Sequence, residues 1–490
     1  MRIRMIVQKL LCVVVSLLAM PLTATHGAAI ERGVAITDPE TLRALDGAKL
    51  SLAQMLGADA NGSAANLFAL PSMITVRDAT DRDFNRYVVD HAKAPDKLNL
   101  FDRDALNAPG TRFDLAGIVN RMDRAYVSPG ECGEIRLIYR PIANRDSTSK
   151  DIAPSRLPMT FNLVIKAKPA GADITCAELA KRWLASSDSA LAGAERAAAL
   201  TAKGGALEWI APEAIDRIEL NIQVARESAS ANDLEGRSDY LMKVFRRDPQ
   251  RKLFEESPLE NQIDVERLRT DAKLAADFRK WLLEPANVAD LDRGAIVLPD
   301  RFLAMSAINV TPSRTDAEAN ARQLFSDDDV VTVLAKASVQ APLQNILSPA
   351  GFARRLDDMT CSGCHQTRAI GGFHLTGADR FGPTSDSAVV AAASPHFFGD
   401  QQRRRDILTA FSNGGTPDFS RGFSARPQQR RAKELAGTTY LNGWGAMCHP
   451  AGANGLDKSF ASWSCAEGLS CQAAPGAKDS RAGFCFLKSE

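Results

Sequence analysis

Apolar and polar residues alternate most cleanly at Ile218, Leu220, Ile222 and Val224, with Glu219, Asn221 and Gln223 between them. A strand repeats every two residues, so this stretch predicts a sheet with one apolar face and one wet face. Phe161, Leu163 and Ile165 repeat the pattern in a partly two-sided form, because Val164 falls between Asn162 and Lys166. Weaker strands are expected over 113–119, 135–139 and 240–245. Helical spacing takes over around 176–184, 190–202 and 265–283. Asp38 before Pro39 marks a further helix start: the carboxylate can accept from free N–H groups of the first turn, where proline has no donor to lose. Leu42 and Leu45 continue that helix, Gly47 ends it, and Leu52, Met55 and Leu56 resume the spacing. From there to about Pro109 the chain reads as polar and irregular. Strands and helices show no regular alternation, so the expected class is α+β.

Two or three units are expected from a chain of 490 residues. At its start, Arg2, Arg4 and Lys9 precede an apolar run from Leu10 to Met20 and then small residues, the pattern of a signal peptide over 1–29. Small residues at both recognition positions favour cleavage after Gly27 or Ala29. The apolar run is shorter than the ~20 residues a membrane span needs, and no later stretch is long and apolar enough. A soluble chain with no span in its mature form, periplasmic or secreted, is therefore expected. Without the signal, 57 basic residues face 59 acidic ones. That balance argues against a nucleic-acid or membrane-surface partner. The run Arg403-Arg404-Arg405 and the pair Arg430-Arg431 read as a solvated helix face.

Export places the cysteines in an oxidising compartment. Of nine, Cys12 lies in the signal. Cys132 and Cys176 are the only two in the first large region, so a disulfide between them is the simplest expectation. Cys448, Cys465, Cys471 and Cys485 crowd into a tail rich in Gly, Ser and Ala, which has little core and needs disulfide staples, in any of three connectivities.

The remaining pair forms Cys361-Ser362-Gly363-Cys364-His365. A C-x-x-C-H run in an exported chain is the attachment signature of c-type haem. Two thiols one turn apart can each add to a haem vinyl group, and the adjacent imidazole is carried under the iron. Ser362 and Gly363 are small enough to let the macrocycle approach. A local disulfide or half of a zinc site completed by His374 or His396 are the competing readings. Zinc suits the compartment less well, because paired thiols there tend to be oxidised. Residues 350–366, a helix leading into this turn, resemble cytochromes c. More broadly, 361–377, the segment Ser394-Pro395-His396-Phe397-Phe398 with its arginine run, and Gly443-Trp444-Gly445 resemble a family of uncharacterised exported bacterial proteins with a cytochrome c-like C-x-x-C-H motif. That resemblance implies an architecture and no particular reaction.

The expected division is 1–29 signal peptide, 30–345 α+β domain with room for two subdomains, 346–435 cytochrome c-like region and 436–490 cysteine-rich tail. Residues 345–351, with Pro349, read as a linker. Cys361 and Cys364 are the expected haem tethers and His365 the proximal iron ligand. His396, then His374, then Met447 are the candidates for the distal position. The loop before His396 is long enough to cross the haem, whereas His374 would require Gly371-Gly372 to wrap tightly round its edge. Met447 lies in the cysteine-rich tail.

Between the signal and His365 the only histidine is His91. It reads as an exposed loop residue, and a multi-histidine metal site cannot be built there. Asp114, Asp123, Glu131 and Glu134 could in principle form an acid/base pair, but such common residues are expected in surface salt bridges. Trp444 and Trp463 are expected to pack the stapled tail. The functional expectation is an exported haem c protein for electron transfer or redox sensing, with an unidentified redox partner. Alternatives are a non-enzymatic secreted disulfide-rich binding module without haem and, less well supported, a haem peroxidase.

Overall fold

The computed structural model describes residues 33–59, 62–92, 97–99, 101–144, 154–187, 189–227, 237–309, 324–340, 342–344, 346–358, 395–420, 447–448, 465, 469–473 and 483–487. The architecture is α+β. In chain order the strands of the main sheet are β1 (Ala35–Ile36), β2 (Lys97–Asn99), β3 (Arg112–Arg121), β4 (Glu134–Ala143), β5 (Ser155–Arg156), β6 (Met159–Lys166), β7 (Ile215–Glu227), β8 (Arg237–Asp248), β9 (Leu253–Ser257) and β10 (Ser306–Asn309). The central path is β1-β3-β4-β6-β7-β8-β10, with β5 beside β4, β2 beside β7 and β9 beside β8. Neighbours along this path are antiparallel.

The alternation in β7 is realised: Ile218, Leu220, Ile222 and Val224 are buried in the main core with Leu137, Tyr139, Phe161 and Leu163. In β3 a bulge between Leu115 and Gly117 changes the register. The inward set therefore passes from Phe113 and Leu115 to Ile118, since one extra residue reverses the facing of those that follow.

Helices cover the apolar face. Asp38 caps α1 (Pro39–Leu45) by accepting from Thr41 N–H. Gly47 does not end the winding, which continues as a wide turn over Asp46–Leu50. The segment expected to be irregular up to Pro109 instead contains α2 (Ile74–His91), whose Val76, Ala79, Phe84 and Tyr87 are buried. These few core positions are spread along a helix otherwise full of charges, so its apolar stripe is thin. Two further helices, α3 (Cys176–Ser187) and α4 (Gly193–Thr201), bring Leu179, Trp183, Ala197 and Leu200 to the core. A disulfide joins Cys132 to Cys176, as expected, with Cα atoms 5.3 Å apart.

A second, helical core follows. The expected helix over 265–283 is divided into α5 (Val265–Thr270) and α6 (Ala272–Leu282), because Asp271 leaves helical geometry and caps α6 at Leu274 N–H. With α7 (Pro285–Arg293), α8 (Asp327–Gln340) and α9 (Pro349–Asp358) they bury Phe278, Leu282, Leu291, Phe302, Val333, Phe352 and Leu356 together. Pro349 starts α9 rather than marking a linker: Ser348 Oγ accepts from Gly351 N–H at 2.9 Å, and proline is tolerated in a first turn. Ile346 belongs to the same core, so residues on both sides of the expected 345/346 boundary pack together. Arg355, fully buried, donates to the carbonyls of Leu291 and Asp292 at the end of α7 at 2.9 and 2.7 Å. Asp292 in turn accepts from the N–H groups of Gln344 and Ile346.

The chain resumes in α10 (Pro395–Ser412), which packs against α3. In the tail, β11 (Met447–Cys448), β12 (Leu469–Ala473) and β13 (Gly483–Leu487) form a small antiparallel sheet in the order β11-β13-β12. Cys465 and Cys471 are disulfide-bonded.

Candidate functional site

The second face of the main sheet departs from the wet face that the alternation predicts. Arg136, Arg140, Asn162, Glu219, Asn221 and Gln223 are all buried on it. Their positions follow from the strand repeat: in β4 and β7 they alternate with the apolar residues of the opposite face, and Asn162 stands directly opposite Glu219. The side-chain oxygens of Asn162, Asn221 and Gln223 are buried and meet no hydrogen-bond donor among the described residues. Burying these groups is costly unless they are paired.

At one end this face becomes a dense network of ions. Arg217 reaches Glu134 at 2.7 Å and Glu219 at 2.8 Å, and Arg136 reaches the same two carboxylates at 3.0 and 2.8 Å. Arg124 bridges Glu134, at 3.2 Å, and Glu260 in the connection that follows β9. Immediately after β3, the turn Met122–Arg124 presents Asp123, whose Oδ1 accepts from Arg121 Nε at 2.8 Å. Its other oxygen accepts from Arg403 Nη2 at 2.8 Å and lies 3.9 Å from Arg404 Nε. Asp123 and Arg404 are each only about 3% exposed as side chains. The helix α10 is thus tied by charge to the sheet. Apolar contacts surround the tie: Ile407 and Leu408 are buried, and Phe419 lies 5.7 Å from Tyr126 and 6.1 Å from Phe411 between ring centres.

Burial alone would raise the Asp123 carboxyl, but Arg121, Arg404 and Arg403 outweigh it and hold the group well below its ordinary value. Glu134 is likewise depressed, burial being outweighed by Arg217, Arg124 and Arg136. Desolvation lowers Arg136 in spite of Glu219 and Glu134, whereas Glu134, Glu219 and Asp216 raise Arg217 against the same burial. General acid/base catalysis favours a group poised near the working pH. Asp123 and Glu134 are held ionised instead, so their arrangement suits anchoring and not proton transfer.

Several expectations for individual residues are thereby corrected. Asp123 and Glu134 are interior ions, not surface salt bridges. Asp114 is also buried, directly opposite Arg140 in the register. Glu131, paired with Lys166, is the half-exposed ion pair expected of this set. Arg403 and Arg404 do not form a solvated helix face, because Asp123 draws them inward. His91 ends α2, half-buried, with its ring stacked 4.1 Å from Tyr87 and Nδ1 2.8 Å from the Tyr87 carbonyl, to which it donates.

The haem expectation falls largely on other residues. Cys361, Cys364, His365 and His374 lie outside the described residues, as do Arg430, Arg431, Trp444 and Trp463. His396 is the second residue of α10 and Met447 the first of β11, each placed by its backbone. Among the described residues no group of three or more His, Cys, Asp or Glu is placed to hold a metal, and no helix is long and apolar enough to cross a membrane. Sequence reading overlooked the arginine network. Its signal was present in Glu134 with Arg136 and Arg217 with Glu219, opposite charges two apart on the same side of a strand, but that spacing also fits an exposed face.

No protein-family model matches this chain, and neither a curated protein nor a solved structure matches it.

Proposed function

We propose that this chain is an exported haem c protein, periplasmic or secreted, that transfers electrons or senses redox state. The observation that carries the reading is Cys361-Ser362-Gly363-Cys364-His365. The donor set suits the group: two thiols can form thioether bonds and the next residue supplies an imidazole nitrogen. When bound, haem supplies one-electron exchange at its iron. Cys361 and Cys364 would tether the porphyrin and His365 would hold the proximal side. The Cys132 to Cys176 disulfide supports an oxidising compartment, where such bonds persist. The flanking elements are anchored: α9, which ends at Asp358 three positions before Cys361, is held by Arg355, and α10 is held by Asp123.

Haem staining on a denaturing gel tests the proposal, using protein exported from a host with cytochrome c maturation machinery. Thioether-bound haem should survive denaturation and be lost in the double variant Cys361→Ser, Cys364→Ser. Absence of both stain and Soret band from the wild type would replace this reading with the disulfide-rich binding module. A high-spin spectrum would instead favour an open distal position and peroxidase chemistry.

A further inference from the structure

We infer that the cleft between α3 and α4 binds a small carboxylate anion with an apolar body. It is separate from the C-x-x-C-H run and does not depend on haem. The cleft has a volume of about 360 Å3, within the range of small-molecule sites. On α3, Lys181 and Ala185 stand four apart on the face turned to it. On α4, Arg196, Ala199 and Leu200 repeat the i, i+3, i+4 spacing of a single helix face. The turn after α4 forms the third wall, and Gly205 allows it: an added Cβ would lie 2.2 Å from the Leu200 carbonyl oxygen and 2.4 Å from that of Ala199. Only glycine lets the turn fold back this closely, which brings Ala206 to the cleft beside Leu200.

The walls select among ligands. Three cations, Lys181, Arg182 and Arg196, line the cleft with one carboxylate, Glu178, an excess of two positive charges. Arg182 is committed to Glu178 at 3.1 Å and to Glu208 at 2.5 Å. The excess therefore sits at Lys181 and Arg196. Lys181 is exposed and hydrated, whereas Arg196 is only 8% exposed and its Nη2 donates to the Ser186 carbonyl at 3.3 Å. A guanidinium already fixed in a partly dehydrated wall meets an oxyanion through charge-assisted bonds, at little cost in ordering. Ala185, Ala199, Leu200 and Ala206 supply apolar wall. A carboxylate carries its charge at one end and leaves carbon for that wall, whereas a free phosphate, charged on every side, would set oxygens against it.

The test uses the full exported chain and ligand-observed NMR, with benzoate as probe, benzamide as its uncharged match and inorganic phosphate as a competitor without a carbon body. Benzoate should bind the wild type about 10-fold or more tightly than benzamide, and phosphate at equal concentration should leave it bound. Arg196→Met should weaken benzoate by about 10- to 100-fold, the range of a hydrogen bond to a charged group, and Lys181→Gln should weaken it less. If Arg196→Met does not fold, Ala199→Trp serves: Ala199 is exposed on α4, so a large side chain there closes the cleft, leaves the core untouched and should abolish binding. Benzoate binding that is absent from the wild type, equalled by benzamide, displaced by phosphate, or unchanged in Arg196→Met and Ala199→Trp would overturn the inference.

Discussion

Two interior carboxylates make the molecule's response to acid predictable. Asp123 and Glu134 are held below their ordinary values of 3.8 and 4.5 by the arginines around them. As the pH falls through those ordinary values, the unfolded chain takes up two protons that the folded chain refuses. Protons bound preferentially by the unfolded state favour it. The stability these groups contribute should be complete above about pH 5 and drain away below pH 4. Urea unfolding followed between pH 7 and pH 3 checks this, and Glu134→Gln should flatten part of the acid slope. At neutral pH the same variant should lose about 3 to 5 kcal/mol, because Arg217, Arg124 and Arg136 would be left facing an uncharged amide. A loss below about 1 kcal/mol, the range of exposed ion pairs, would show that the network is solvated.

Among the elements, α9 offers a direct test of which core owns the approach to the C-x-x-C-H run. Phe352 is buried with Phe325 at 5.5 Å between ring centres. Phe352→Ala should cost about 3 to 5 kcal/mol and weaken the helical core around Phe278 before the sheet, as hydrogen exchange would report. The Cys132 to Cys176 bridge closes a loop of sequence separation 44. Replacing both by alanine should cost about 4 kcal/mol on the loop-entropy account, measured by denaturant unfolding under non-reducing conditions. How much of this was legible beforehand differs by element. The strand around Ile218 and the capped start at Asp38 declared themselves, since local periodicity and capping chemistry decided them. The helix α2 was missed because four buried residues among many charges leave a weak stripe. Cys132 and Cys176 could be paired by scarcity alone. Nothing local to Asp123 or Arg403 announces that they meet, because they stand 280 positions apart in sequence. The same holds for the candidate site: Cys361, Cys364 and His365 are readable as a motif, whereas the anchors on either side of them required three dimensions.

On the scale of the whole molecule, the central strand pairs β3-β4, β7-β8 and β8-β9 join consecutive segments of chain, whereas the contact between Asp123 and Arg403 spans 280 positions. The strands β3 and β4 pair through the short connection that contains Asp123 itself. Their pairing needs little loop closure, whereas bringing α10 back across 280 positions requires most of the chain to be in place first. The docking of α10 should therefore come late, after the rate-limiting step of folding. Interactions that form after that step govern how fast the native state is lost, not how fast it is reached. Arg403→Met should raise the unfolding limb of a stopped-flow chevron and leave the refolding limb superimposed on that of the wild type; a slower refolding limb would place α10 in the nucleus. Read this way, the buried ion pair is a brake on escape: it does little to hasten assembly, and it lengthens the lifetime of what has been assembled.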